Sequence, residues 1–171
     1  MDGHYTQVMN ARQGISEEGT RLYFAYSTIL DREAFVTWRK QHNYDFFDLP
    51  EGLLAEAKGI DLIYDFPSRW WGGRVAGLTD KSGASVFGRL FSIAIKDWPI
   101  VQHKEGAITG MSIERNVTVL VDGKEFAATA FTTSPGRASL EGPVSEGFKE
   151  ALIRGAQQAK LPESYIASLR K

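Results

Sequence analysis

Cysteine is absent from all 171 residues, which excludes disulfides, thiolate nucleophiles and cysteine-held metals. Histidine is scarce: only His4, His42 and His103 are present, and no two stand four residues apart. A metal centre would have to draw on scattered carboxylates, a poor prospect for a tetrahedral site. An excess of positive charge is also missing. Twenty basic residues against twenty-one acidic ones leave a formal charge of −1, which argues against a surface built to neutralise phosphates, so no nucleic-acid partner is expected. No run approaches the ~18 consecutive apolar residues of a membrane-spanning helix. The first residues, Met1–Gly14, carry acid, His and Gln where a signal peptide would carry a basic end and an apolar block. The expectation is one cytoplasmic domain with no membrane partner.

What is present is globular. Hydrophobic residues make up 43% and charged residues 24% of the chain, so a chain of this size buries roughly 70% of its unfolded surface without staples. Residues 1–20 are polar and aperiodic and are expected to form a flexible N-terminal arm; residues 21–171 are expected to form the domain. Arg21–Tyr26 is aromatic-rich and bounded by turn residues, as strands are. Asp31 offers an N-cap to a helix in which Ala34, Phe35, Trp38 and His42 recur at threes and fours. Residues 43–58 read as irregular, since Pro50 and Gly52 block regular pairing. Ile60, Leu62, Tyr64 and Phe66 alternate as a strand, Pro67–Gly73 reads as a loop, and a further strand runs through Val75 and Leu78. Asp80-Lys81-Ser82-Gly83 has turn chemistry ahead of a third strand, Ser85–Ile93. Gly88 within it points to a bend, a bulge or a close approach.

Asp97-Trp98-Pro99 starts a short helix that stops at Gly106. Ser112–Val121 and Glu125–Phe131 are strands joined by Asp122-Gly123, the strongest hairpin signal in the chain. A Gly/Ser/Pro-rich loop leads to a helix near Val144–Ala159, and Pro162 opens a last short helix. These elements predict a single α+β domain with a small mixed, curved or closed (barrel-like) β-sheet and flanking short helices.

Three segments carry groups capable of chemistry. The junction Tyr26-Ser27-Thr28-Ile29-Leu30 runs from strand to helix through small polar residues and presents backbone N–H groups suited to a carboxylate or an oxyanion; spacing alone favours an ordinary connection in which Ser27, Thr28 and Asp31 only compete as caps. Glu105, at the end of a helix, sits where the macrodipole disfavours negative charge. Burial there would favour the neutral acid and suit a proton shuttle, while a solvated surface Glu fits the same residues. Arg69-Trp70-Trp71-Gly72-Gly73-Arg74 suits either a base-stacking surface or, better, tryptophans that plug one end of a barrel.

Taken in order, these segments resemble the gamma-glutamylcyclotransferase-like family. Tyr26-Ser27-Thr28-Ile29-Leu30 is similar to its Tyr-Gly-Ser-Asn-Leu loop, Gly72-Gly73-Arg74-Val75-Ala76 to its Gly-Gly strand opening, and Glu105-Gly106 to its catalytic Glu-Gly. Thr129-Ala130-Phe131, Arg154-Gly155-Ala156 and Leu161-Pro162-Glu163-Ser164-Tyr165 extend the likeness over residues 21–171. The resemblance implies that a γ-glutamyl substrate, a small molecule, cyclises to 5-oxoproline and releases an amine, an acyl transfer that places the protein near glutathione-related metabolism. It implies Glu105 as general base then acid, with Tyr26, Ser27, Thr28, Ile29, Leu30, Gly72, Gly73, Ser112 and Phe148 around the substrate. It requires no cofactor and no metal, and a homodimer is compatible with it. Three departures bear on the pocket: Ser27 replaces the family's Gly, Ile29 its Asn, and Ser112 a Tyr. Phe148 keeps the ring of another Tyr without its hydroxyl. A pocket redirected to a different amide or amine conjugate, or a non-catalytic binding protein, are the alternatives.

Overall fold

The computed structural model describes residues 19–171. The expected N-terminal arm lies outside the described residues except for Gly19 and Thr20, and Thr20 already opens the first strand.

Five strands close into a barrel: β1 (Thr20–Ala25), β2 (Leu53–Ser68), β3 (Gly73–Ala94), β4 (Ser112–Val121) and β5 (Lys124–Thr133), in the order β1-β3-β2-β4-β5. Neighbours are antiparallel except where β1 meets β5 in parallel to close the ring, Tyr23 opposite Thr129. Four helices flank it: α1 (Arg32–Gln41), α2 (Trp98–Lys104), α3 (Glu146–Gln158) and α4 (Glu163–Leu169). The mixed, closed sheet with short helices matches the architecture expected from the sequence. Among the described residues, no helix is long and apolar enough to cross a membrane.

The two long strands correct the sequence reading. The expected irregular stretch 43–58 gives way to strand at Leu53, and the expected loop at Pro67–Gly73 shrinks to a turn over 69–72. Ala55 and Ala57 face the barrel interior, as do Ile60, Leu62, Tyr64 and Phe66. Inward positions therefore switch from odd to even numbers, and the switch falls at Gly59, whose φ is +80°. A bulge of this kind offsets the pairing and keeps these six side chains on one face. Opposite it, the pairs Lys58–Ser85 and Ile60–Asp80 leave residues 81–84 to bow out from β3. Asp80-Lys81-Ser82-Gly83 thus forms an exposed bulge within one strand, rather than a turn between two. The expected β4–β5 hairpin turn is present, with Asp122 at φ +49° and Gly123 at +77°, both in the left-handed region that suits a two-residue hairpin.

Strand parity divides the apolar residues into two cores. Leu22 and Phe24 of β1 point into the barrel, which α3 and α4 cap through Phe148, Leu152, Ile166 and Leu169. Tyr23 and Ala25 point outward, into a second core with Phe35 and Trp38 of α1 and Trp98, Ile100 and Val101 of α2. The outward face of β1 is therefore the face that meets α2.

Candidate functional site

A cavity of about 570 Å³ opens at the barrel end where β1, β2 and β5 finish and β3 begins. Tyr26, Ser27, Thr28, Glu105, Ser112 and Phe148 all line it. These six positions span 123 residues of sequence, and closure of the barrel brings them to one wall.

Glu105 follows the last turn of α2, and its N–H donates to Val101 O at 3.0 Å. Gly106 takes φ +84°, the left-handed turn that ends a helix and that glycine adopts without strain. A Cβ there would meet the Phe66 ring at 3.2 Å, so turn and packing both favour glycine. Ser112 is buried and donates from Oγ to Glu105 O at 2.7 Å. This residue, in place of the family's Tyr, fixes the main chain of the acid.

The carboxyl itself is held by a residue that sequence reasoning missed. Tyr23 Oη donates to Glu105 Oε1 at 2.5 Å, across 82 residues. Tyr23 is only 1% exposed, and burial, together with the nearby Glu105 carboxylate, pushes its phenol well above the usual range. It stays protonated and can only donate here. Oε2 takes no hydrogen bond from the described residues. Burial raises the Glu105 carboxyl above the ordinary glutamate value, opposed by the charge of Lys104 and by the Tyr23 hydrogen bond. Read from sequence, Tyr23 is one more aromatic in an apolar strand. The signal that singles it out is parity: a polar-tipped ring facing the opposite way from Leu22 and Phe24.

Tyr23→Phe is expected to lower turnover at Glu105 by roughly tenfold, the worth of one hydrogen bond to a charged group. It should also move the acid limb of kcat/KM to higher pH, because the lost bond had been lowering the carboxyl's pKa. A pH–rate profile of the variant checks both, and an unmoved limb would reduce Tyr23 to packing.

On the facing side, Ser27 caps a single 3₁₀ turn, Thr28–Leu30. Its φ of −119° is extended backbone, so replacing the family's Gly costs no strain here. The first N–H groups of a helical turn lack internal acceptors. Those of Ser27, Thr28 and Ile29 have none among the described backbone hydrogen bonds, whereas Leu30 N–H donates to Ser27 O at 3.1 Å. This removes Leu30 from the expected set of oxyanion donors. Ile29 is 2% exposed and packs into the outer core, and both Ile29 and Leu30 line a different cavity, of about 380 Å³. Gly72 and Gly73 also stand outside the wall of the larger cavity. Gly72 completes the β2–β3 turn at φ +68°. A Cβ on Gly73 would lie 3.0 Å from Pro143 O and from Ser145 N, so this glycine lets β3 approach the chain entering α3. Trp71 is the barrel plug, edge-on to Phe148 at 5.6 Å, whereas Trp70 stays half exposed.

The loop is anchored from behind. Asp31, fully buried, accepts from Arg154 Nη2 and Gln158 Nε2 of α3, each at 3.0 Å. Gly155 permits the approach, since a Cβ there would sit 2.8 Å from Asp31 N. This gives Arg154-Gly155-Ala156 a physical purpose.

The structure also pairs two imidazoles that sequence separates by 61 residues. The rings of His42 and His103 lie 4.8 Å apart, edge to face, both on the cavity wall. His42 Nδ1 donates to Trp38 O at 2.8 Å, and His103 Nδ1 bonds the Tyr44 hydroxyl at 3.0 Å. Burial, then His42, lowers the pKa of His103. No group of three metal-ligating side chains forms among the described residues.

Comparison with known proteins follows the same lines. The sequence profile of the AIG2-like family matches residues 85–169, and no curated protein sequence matches the chain. Among solved structures, uncharacterized protein loc79017 from Homo sapiens superposes with a TM-score of 0.75 at 23% identity, covering 90% of this chain and 88% of that one. A gamma-glutamyl cyclotransferase gives 0.72 at 21%, covering 88% and 86%. A yeast gamma-glutamyl cyclotransferase specific to glutathione gives 0.61 at 9%, covering 88% and 94%. Residues 85–169 thus match the AIG2-like family, and the chain has the fold of the gamma-glutamyl cyclotransferases.

Proposed function

We propose that the protein is a cyclotransferase that converts a γ-glutamyl amide, amino acid or peptide to 5-oxoproline and a free amine. The observation that carries this reading is Glu105: a carboxyl shifted toward neutrality, gripped at one oxygen by Tyr23, on the wall of a cavity that also holds the free N–H groups of Ser27 and Thr28.

In such a reaction the substrate's own α-amine attacks its γ-carbonyl. The new N–C bond closes a five-membered ring, the amide C–N bond breaks, and one proton passes from the attacking nitrogen to the departing one. Glu105 takes that proton and returns it, as one carboxyl with a pKa drawn toward the working pH can. The N–H groups of Ser27 and Thr28 are suited to the substrate carboxylate or the tetrahedral oxyanion. The remaining requirement is orientation of two groups within one molecule, where effective molarities reach about 10⁵–10⁸ M.

Incubation with a library of γ-glutamyl compounds, read by mass spectrometry, tests the reading. The wild type should release 5-oxoproline and Glu105→Gln should not. Cleavage of other amides without 5-oxoproline would favour the redirected pocket that Ser27 and Ser112 suggest, and tight binding without turnover would favour a binding protein.

A further inference from the structure

The cavity is larger than the glutamyl moiety requires. At about 570 Å³ it lies in the range that encloses drug-sized ligands, while the cyclising fragment ends as a single five-membered ring. Its two sectors differ in chemistry. The barrel-mouth sector carries Ser27, Thr28 and Ser112. The outer sector is walled by rings: Trp38 and His42 stack at 4.6 Å, His103 stands edge-on to both, and Trp70 tilts over His42 at 5.8 Å. Glu105 joins the sectors, with its carboxyl on Tyr23 and its chain neighbours His103 and Lys104 in the outer wall.

Charge in the cavity is one-sided. Arg69, Lys104 and Arg137 line it, and Glu105 is its one acidic lining residue among the described residues. Neither Arg69 nor Arg137 has a carboxylate partner among the described ion pairs. A departing group with a positive tail would meet three cations and no counter-charge except the proton-shuttling carboxyl. A departing group with a carboxylate would find partners, and a planar side chain would find faces and edges to pack on.

We propose that the outer sector is a leaving-group subsite that selects an aromatic amino acid, bearing a free carboxylate, joined through its amine to the γ-carboxyl of glutamate. This rests on the cyclotransferase reading for its chemistry, but the subsite itself is defined by binding. His42 and Trp70 supply the ring contacts, with the buried Trp38 stacked behind His42, and Arg69, Lys104 and Arg137 supply the field that prefers an anion to a cation. His103 stays neutral and adds an edge rather than a charge.

The test measures calorimetric binding to Glu105→Gln, and 5-oxoproline release by the wild type, with three probes: γ-glutamyl-phenylalanine, γ-glutamyl-alanine and the cationic γ-glutamyl-(4-aminobutyl)amide. The phenylalanine conjugate should bind roughly three- to tenfold tighter than the alanine conjugate, the range of one or two aromatic contacts, and the aminobutyl amide should bind weakest. Trp70→Ala, at a half-exposed position, should close most of the gap between the first two. Turnover of the alanine conjugate with equal or inverted affinities would overturn the subsite and leave the reaction standing. The expected affinity order without any 5-oxoproline would support the subsite and overturn the reaction. Absence of binding by every probe would overturn both.

Discussion

Glu105→Gln is expected to lower kcat for γ-glutamyl turnover by about 10²–10⁴-fold, the worth of general acid–base help, with KM moving far less. The amide keeps the shape of the acid, and its oxygen still accepts from Tyr23, so the difference is confined to the proton. The same substitution should change stability in a pH-dependent way. A carboxyl whose pKa is raised by burial in the folded state binds its proton more tightly folded than unfolded. The stability this contributes is fully present below the ordinary glutamate pKa and is lost as pH rises through the raised value. Glutamine never ionises and escapes that loss. Melting curves should therefore place Glu105→Gln above the wild type at neutral pH and converge with it in acid. An unchanged kcat would remove Glu105 from the proton path, and a pH-independent gap in Tm would show that burial does not oppose its charge.

Gly88→Ala should have the largest effect on the fold. Gly88 pairs with Ala55 of β2 inside the barrel wall, and a Cβ there would lie 2.1 Å from Ala25 O and 3.0 Å from Ala25 C. The obstacle is backbone, which cannot swing aside as a side chain can. Overpacking of this sort costs about 3 kcal/mol or more, a fall in Tm of roughly 6–12 °C for a chain this size. Ala25 lies one residue before Tyr26, so the displacement reaches the cavity and activity should fall with stability. Gly147→Ala is the control: nothing lies within 3.9 Å of its added Cβ, and alanine suits a helix better than glycine, so Tm should hold or rise. Equal melting of Gly88→Ala and wild type would mean that β1 does not press on β3 at this point.

The hairpin at Asp122-Gly123, the cap at Asp31 and the stop at Gly106 were legible because each rests on local backbone chemistry. Residues 53–58 were not. Ala55, Glu56, Ala57 and Lys58 are weak strand formers, and the bulge at Gly59 breaks the alternation that would have exposed them. Asp80–Gly83 misled for the opposite reason: its turn chemistry is real, but the chain spends it on a bulge. At the site, Glu105 and Ser27-Thr28 were reachable through short motifs, whereas Tyr23 and the His42–His103 pair depend on which strand face meets α2. Alternation in β1 marks Tyr23 as facing away from Leu22 and Phe24, but what it meets there is decided by barrel closure. Ile29, Leu30, Gly72 and Gly73 show the converse. Each belongs to a site motif in sequence, yet in space they shape the backbone or the outer core beside the cavity.

The Asp31 anchor also has a consequence for assembly. Arg154 and Gln158 reach it across 123 and 127 residues of chain, among the most distant side-chain contacts described. Contacts of such separation form late, because the loop they close is long. A nascent chain that has not yet extruded Arg154 lacks both side chains that hold Asp31, even with all five strands already made. The barrel can therefore precede the pocket during synthesis, and the loop bearing Ser27 and Thr28 becomes fixed only when the penultimate helix docks.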